Sequence, residues 1–198
     1  MTSLNEAFTQ LLDALNTRDR TINPTGAAQF YYLVFPPEQA LEVKRQLHKW
    51  KKRLTDQSYK TREYSFAKEM PGLAEKHPLV SRSLQLEAAK PATAAEKFAA
   101  SPKLLHQLTG AAGEKLAADI TARFGGTGEK TVLLLTDLEA LHPAVRIGTI
   151  ENQLTQTLKG PIIVFYPGQR TAKYALKFLG FYPEDGNYRS THFEATTA

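Results

Sequence analysis

The chain has 198 residues and no cysteine, which excludes a disulfide framework, iron–sulfur clusters, cysteine-based zinc sites and thiol catalysis. With 42% hydrophobic and 23% charged residues it has the composition of a folded domain and not of a disordered chain, and no apolar run approaches the ~20 residues of a membrane helix. The net charge is +5, and the segment 38–62 accounts for all of it, with eight lysines and arginines against three acids. Such a local excess points to one acidic partner more than to a general affinity for polyanions.

The first fifteen residues carry Glu6 and Asp13 and lack a basic stretch followed by an apolar block, so they read as structure and not as a signal peptide. Ser3 and Glu6 form a capping box, and Leu4, Phe8, Leu11, Leu12 and Leu15 recur at helical spacing. After a polar loop with Pro24 and Gly26, the aromatic run Gln29 to Phe35 predicts a buried strand that ends at Pro36. Pro37 opens a helix on which Ala40, Val43, Leu47, Trp50 and Leu54 make one apolar stripe, with the basic residues on the other faces. Tyr59 to Phe66 alternates weakly and predicts an edge strand. From Ala67 to Phe124 the chain reads as short helices punctuated by prolines, the last carrying Leu116, Ile120 and Phe124 and ending at Gly125 and Gly126.

Thr131 to Thr136 and Ile162 to Tyr166 are continuous apolar runs, read as strands buried on both faces. The helix between them is expected from Pro143 to about Leu158, which makes a parallel strand–helix–strand unit. Leu176 to Tyr182 and Tyr188 to Phe193 flank the turn sequence Pro183-Glu184-Asp185-Gly186-Asn187, which predicts a closing hairpin or bent strand pair. The expected fold is therefore α/β: a single three-layer domain over 1–198, with a mostly parallel sheet of about five strands, a helical insertion at 67–124 and a C-terminal edge strand or hairpin.

Chemistry is sparse. Gly126 to Thr131, GTGEKT, imitates a phosphate loop, but Glu129 stands where the second glycine belongs, and the segment precedes a strand where a helix is required. Asp137 and Glu139 follow an apolar strand, where an α/β fold keeps its ligand crevice; an acid entering the next helix is equally a cap, so a metal or nucleotide role stays the lesser reading. The five histidines have no metal-ligand spacing, and no serine lies in a nucleophile elbow. No cofactor, metal or catalytic residue is assigned. The remaining feature is the basic helix, whose Lys44, Arg45, Lys49, Lys51, Lys52 and Arg53 suit an acidic protein face or DNA phosphates, unless they are simply a solvated face.

The segment Pro161 to Phe193 carries a strand ending Phe165-Tyr166-Pro167-Gly168, then Phe178-Leu179-Gly180, then Asp185, Asn187, Tyr188 and Arg189 at a turn running into a strand. This pattern resembles the BrxB family, the small component of BREX bacteriophage-defence systems, and the aromatic strand running into Pro36-Pro37-Glu38 is similar to that family's N-terminal strand. The resemblance implies a cytoplasmic, non-enzymatic adaptor that works with other BREX proteins, chiefly a PglZ-like protein. The alternative is an accessory module touching DNA through the basic helix. Within the motif, Pro167 is expected to fix the chain as it leaves the sheet, Gly168 to adopt a backbone conformation closed to other residues, and Arg189 to pair with a carboxylate such as Asp185 or Asp137.

Overall fold

The aromatic strand β1 (Gln29–Phe35) lies inside a parallel sheet, between the strand formed by Pro161–Ala172 and that formed by Thr191–Glu194. The structure, a computed structural model, describes residues 2–17, 29–75, 112–128, 130–142, 145–172, 174–184 and 190–196. In chain order its elements are α1 (Leu4–Asn16), β1, a 3₁₀ turn at Pro37–Gln39, α2 (Ala40–Asp56), β2 (Lys60–Ser65) and α3 (Phe66–Glu75). There follow α4 (112–124), β3 (Thr131–Thr136), a 3₁₀ turn at Leu138–Leu141, α5 (Ile147–Thr157), β4 (Pro161–Ala172), β5 (Ala175–Phe178) and β6 (Thr191–Glu194). The strand order is β2-β3-β4-β1-β6, every neighbouring pair parallel, with β5 antiparallel on β4. The protein thus has the expected α/β architecture.

Alternation along the strands divides the core in two. Phe30, Tyr32 and Val34 of β1, with Leu133, Leu135, Ile162, Val164 and Tyr166, pack under α4 and α5. Tyr31, Leu33 and Phe35, with Val132, Leu134, Ile163 and Phe165, pack under α1 and α2. Covering both faces removes the need for polar residues within β1, β3 and β4, hence their continuous apolar runs. Trp50 of α2 stacks between Phe8 of α1, with ring centroids 4.8 Å apart, and Phe165 of β4, 5.9 Å away. Its indole N–H donates to Asn5 Oδ1 at 3.0 Å, so the polar edge of a buried ring is satisfied. The capping box is formed as read, with Ser3 N donating to Glu6 Oε2 and Glu6 N to Ser3 Oγ.

Four expectations change. Pro71 lies inside α3 and does not end it, because Phe66 and Met70 anchor that helix on the first core. The helix before β4 begins at Ile147, four residues after Pro143, because Leu138–Leu141 first makes a 3₁₀ turn and Arg146 is extended at φ −95°, ψ 138°. Pro167, opposite Phe35, is the last residue of β4 paired with the parallel strands, as expected, but the strand does not end there: β4 continues to Ala172, and its overhang is paired by β5, with Gly168 opposite Phe178 and Ala172 opposite Ala175. The closing hairpin therefore joins 168–172 to 175–178, not 176–182 to 188–193. The last strand instead runs parallel to β1 at the sheet edge, where Phe193 stacks on Tyr31 at 6.5 Å. Asp185, Gly186, Asn187, Tyr188 and Arg189 lie outside the described residues, as does 76–111, most of the predicted helical insertion.

Candidate functional site

All parallel strands end at the same side of the sheet, and there the chain from β1 leaves toward one face through α2 while the chain from β3 leaves toward the other through the Leu138–Leu141 turn and α5. Divergent exits open a crevice at the carboxyl ends of the strands, the usual ligand position in open α/β sheets. A cleft of about 220 Å³ occupies this place, floored by Phe35, Val43, Leu47 and Phe165 and rimmed by Lys44, Glu63, Lys68, Thr136, Asp137 and Glu139. Three features singled out in the sequence therefore meet here: the basic helix through Lys44, the acids after β3 and the C-terminal motif through Phe165.

Their chemistry is mutual. Asp137 adopts the left-handed conformation, φ 57° and ψ 45°, which Asp tolerates better than most residues. Its side chain makes no capping hydrogen bond to the following turn, so it does not serve as the expected cap. Instead the carboxylate, 15% exposed, receives Lys44 Nζ at 2.7 Å together with the Ser65 hydroxyl and, at 3.4 Å, the Thr136 hydroxyl. Burial pushes the Asp137 carboxyl up, but the hydrogen bonds from Lys44 and Ser65 outweigh it and hold the group below the ordinary aspartate value. The same bond to Asp137 raises the Lys44 ammonium, helped by Glu139 at 3.2 Å. Glu63, on β2, is held by Lys51 and by the Thr136 hydroxyl at 3.2 Å. Among the described residues, no group of three or more His, Asp or Glu side chains is placed to hold a metal ion.

The basic helix splits into inward and outward charges. Lys44 and Lys51 reach the crevice acids, and Arg53 donates to Thr9 Oγ1 at 2.9 Å and lies over the Phe8 ring. Arg45, Lys49 and Lys52 face solvent, Arg45 with only a loose 3.7 Å pairing to Glu42. The phosphate-loop imitation lies at the opposite end of the sheet, where Gly125 N bonds to Thr121 O and the turn enters β3. His142 stacks on Phe178 at 3.9 Å, and burial, with the Arg146 charge, pushes it down to about 4. His192 packs edge-on to Tyr32, and burial, with Arg170, pushes it down to about 4 as well.

Motif positions separate by role. Phe165 floors the crevice, while Tyr166 packs on the other face against Tyr32 and Phe178. Gly168 is needed for space and not for an unusual backbone: a Cβ there would lie 2.4 Å from Lys177 O and 2.8 Å from Tyr166 Cε1. Among the described residues, the left-handed glycine is Gly180, at φ 74°. Sequence reasoning missed Ser65, Thr136, Glu63 and Lys68. The signal was available for two of them, since Ser65 and Thr136 are polar residues ending strands that were otherwise apolar or edge-like, the place where a parallel sheet presents side chains to its crevice.

A family model described as BREX protein BrxB matches residues 65–193. The match takes in the end of β2, the acids after β3 and the whole C-terminal motif, and leaves out α1, β1 and α2. No curated protein and no solved structure matches the chain.

Proposed function

The chain belongs to the BrxB family of BREX proteins, which makes it a component of BREX phage defence, and from this premise we propose that it works as a non-catalytic adaptor that binds a PglZ-like protein of the same system. The observation that carries the reading is the state of Asp137. It occupies the position where an α/β enzyme of this topology presents a catalytic or metal-binding acid, yet its carboxylate is tied to Lys44 at 2.7 Å and to two hydroxyls. That arrangement joins α2 to the end of β3, and it holds the carboxyl below its ordinary value, which weakens it as a proton acceptor. The two histidines pushed below their ordinary value, His142 and His192, are half-buried against aromatic rings.

Co-expression of the full chain with the PglZ-like protein of its own system tests this. Co-elution as one complex is the expected result, with no hydrolytic turnover by the isolated chain on nucleotide or phosphodiester substrates. Separate elution, together with a turnover abolished by Asp137→Asn, would assign the crevice a catalytic role instead. The DNA-contacting alternative rests on Arg45, Lys49 and Lys52, the three cations of the helix that face outward. Three phosphate contacts would give a log–log salt dependence of roughly −0.9 per contact.

A further inference from the structure

We propose that the crevice at the carboxyl ends of the strands binds a free apolar α-amino acid, at a site that stands apart from the adaptor reading. The cleft holds about 220 Å³ and is lined by α2, by the first turn of α3 and by the turn after β3, with the ends of three strands below. Its floor is apolar: Phe35, Val43 and Phe165 are buried, and Ala40 and Leu47 complete it. Such a floor accepts a side chain that has no hydrogen-bonding group, and the polar rim orients what the floor holds.

The rim is not of one sign. Lys44, Lys68, Glu63, Asp137 and Glu139 all line the cleft. What selects a ligand is the bonding capacity that the internal pairs leave over. An ammonium has three N–H donors. Lys44 spends one on Asp137 at 2.7 Å and one on Glu139 Oε1 at 3.2 Å. The Lys68 ammonium makes no hydrogen bond or ion pair with the described residues, although the Lys68 backbone N–H reaches Ser65 Oγ at 3.4 Å. Both lysines therefore have donors to spare. Among the acceptors, Asp137 is taken by Lys44 and two hydroxyls, and Glu63 by Lys51 and the Thr136 hydroxyl. Glu139 keeps its second oxygen, on a side chain that is 41% exposed. The ligand that matches this remainder presents a carboxylate to Lys68 and the third N–H of Lys44, and an ammonium to Glu139. The two charges must lie close together, because the residues that meet them line one small cleft. An α-amino acid carries both groups on one carbon and adds an apolar side chain for the floor. A peptide end has one of the two charges, and a nucleic acid brings no cation to Glu139.

Calorimetric titration of the full chain with L-leucine and with L-phenylalanine tests this, in parallel with N-acetyl-leucine and leucinamide, which each lack one charge. The parent should bind at least one of the free amino acids, which should raise its melting temperature, and should bind either derivative about tenfold more weakly or worse. Lys68→Gln and Glu139→Gln alter exposed side chains, so each should fold and lose about tenfold in affinity for the amino acid. Lys49→Gln removes a charge outside the cleft and should bind as the parent does. If a rim variant fails to fold, the comparison of free and blocked ligands on the parent decides alone. No binding of either amino acid up to about 10 mM overturns the site. Equal binding of the blocked derivatives also overturns it, because the cleft is then an unselective apolar recess. An equal loss in Lys49→Gln reduces the effect to net charge and overturns it as well. Co-elution with the PglZ-like protein is decided by a separate measurement, so failure here leaves the adaptor reading standing.

Discussion

The left-handed backbone at Asp137 turns the chain sharply out of β3, and its carboxylate reaches back to Lys44 and Ser65. Asp137→Asn keeps a residue that tolerates this conformation but removes the charge, so it should lower stability by about 1–2 kcal/mol at neutral pH. Asp137→Ala should cost roughly 1 kcal/mol more, because alanine meets the left-handed penalty without local hydrogen bonding. Urea unfolding at neutral and acid pH reads both effects. Because the folded carboxyl lies below the ordinary aspartate value, its stabilisation is complete above that value and is lost as pH falls through the lowered one. The gap between the parent and Asp137→Asn should therefore close in strong acid. His142 acts in a milder range. Its ordinary value of 6.5 falls to about 4 in the fold, so the unfolded chain binds the extra proton between these limits. Stability is full above about pH 6.5 and erodes toward about pH 4. His142→Phe preserves a ring against Phe178 and should flatten that acid slope in part, with His192 supplying the remainder. An unchanged slope would show that His142 does not resist protonation.

At the scale of elements, the β4–β5 hairpin depends on a close approach. Gly168→Ala places a Cβ 2.4 Å from the Lys177 carbonyl oxygen, a backbone atom that cannot swing aside, and should cost about 1–3 kcal/mol by overpacking. Gly126→Ala is the matched control, since a Cβ there meets nothing within 4 Å; equal melting temperatures for the two variants would remove the spatial argument. The junction of α3 and α4 rests on Arg123, which grips both oxygens of Glu69 at 2.8 Å and Asp119 at 3.1 Å and lies over the Tyr64 ring. Arg123→Met should lose about 1 kcal/mol, and Arg123→Lys should recover little of it, because a lysine cannot make the forked contact. The elements legible in the sequence are those with a physical signature of their own. The strands β1, β3 and β4 are apolar runs ended by proline or followed by a polar turn, and α1 and α2 carry a continuous stripe. A strand was read at Leu176 to Tyr182, which overlaps β5, but its partner was not legible: β5 pairs with β4 because β4 overhangs the sheet and offers it an edge. Of the crevice, Asp137, Glu139, Lys44 and Phe165 were each singled out in the sequence but not as one site, since they and Glu63 and Ser65 come from different elements and are brought together by strand order.

On the scale of the whole molecule, strand order also sets how much chain the fold needs. The family match begins at residue 65, but β1 precedes it and lies between β4 and β6, pairing with seven residues of one and four of the other. A fragment 65–193 would keep β3, β4 and β5 and lose β1, α1, α2 and nearly all of β2. Its β6 would have no neighbour, since that strand pairs with β1. The second core would be stripped as well, because Leu4, Phe8, Leu11, Leu15, Val43, Trp50 and Leu54 supply the helical side of it. The inner rows of Val132, Leu134, Ile163 and Phe165 would then face water, a contiguous apolar surface that an isolated monomer does not sustain. The expected outcome is that the fragment 65–193 is insoluble or shows no cooperative thermal transition, whereas the full chain unfolds in one. Adding residues 1–64 in trans, as a second polypeptide, should restore solubility only if β1 can re-enter between β4 and β6. A fragment 65–193 that melts cooperatively by itself would mean that the parallel strands β3 and β4 hold a core without β1, contrary to the packing on both of its faces.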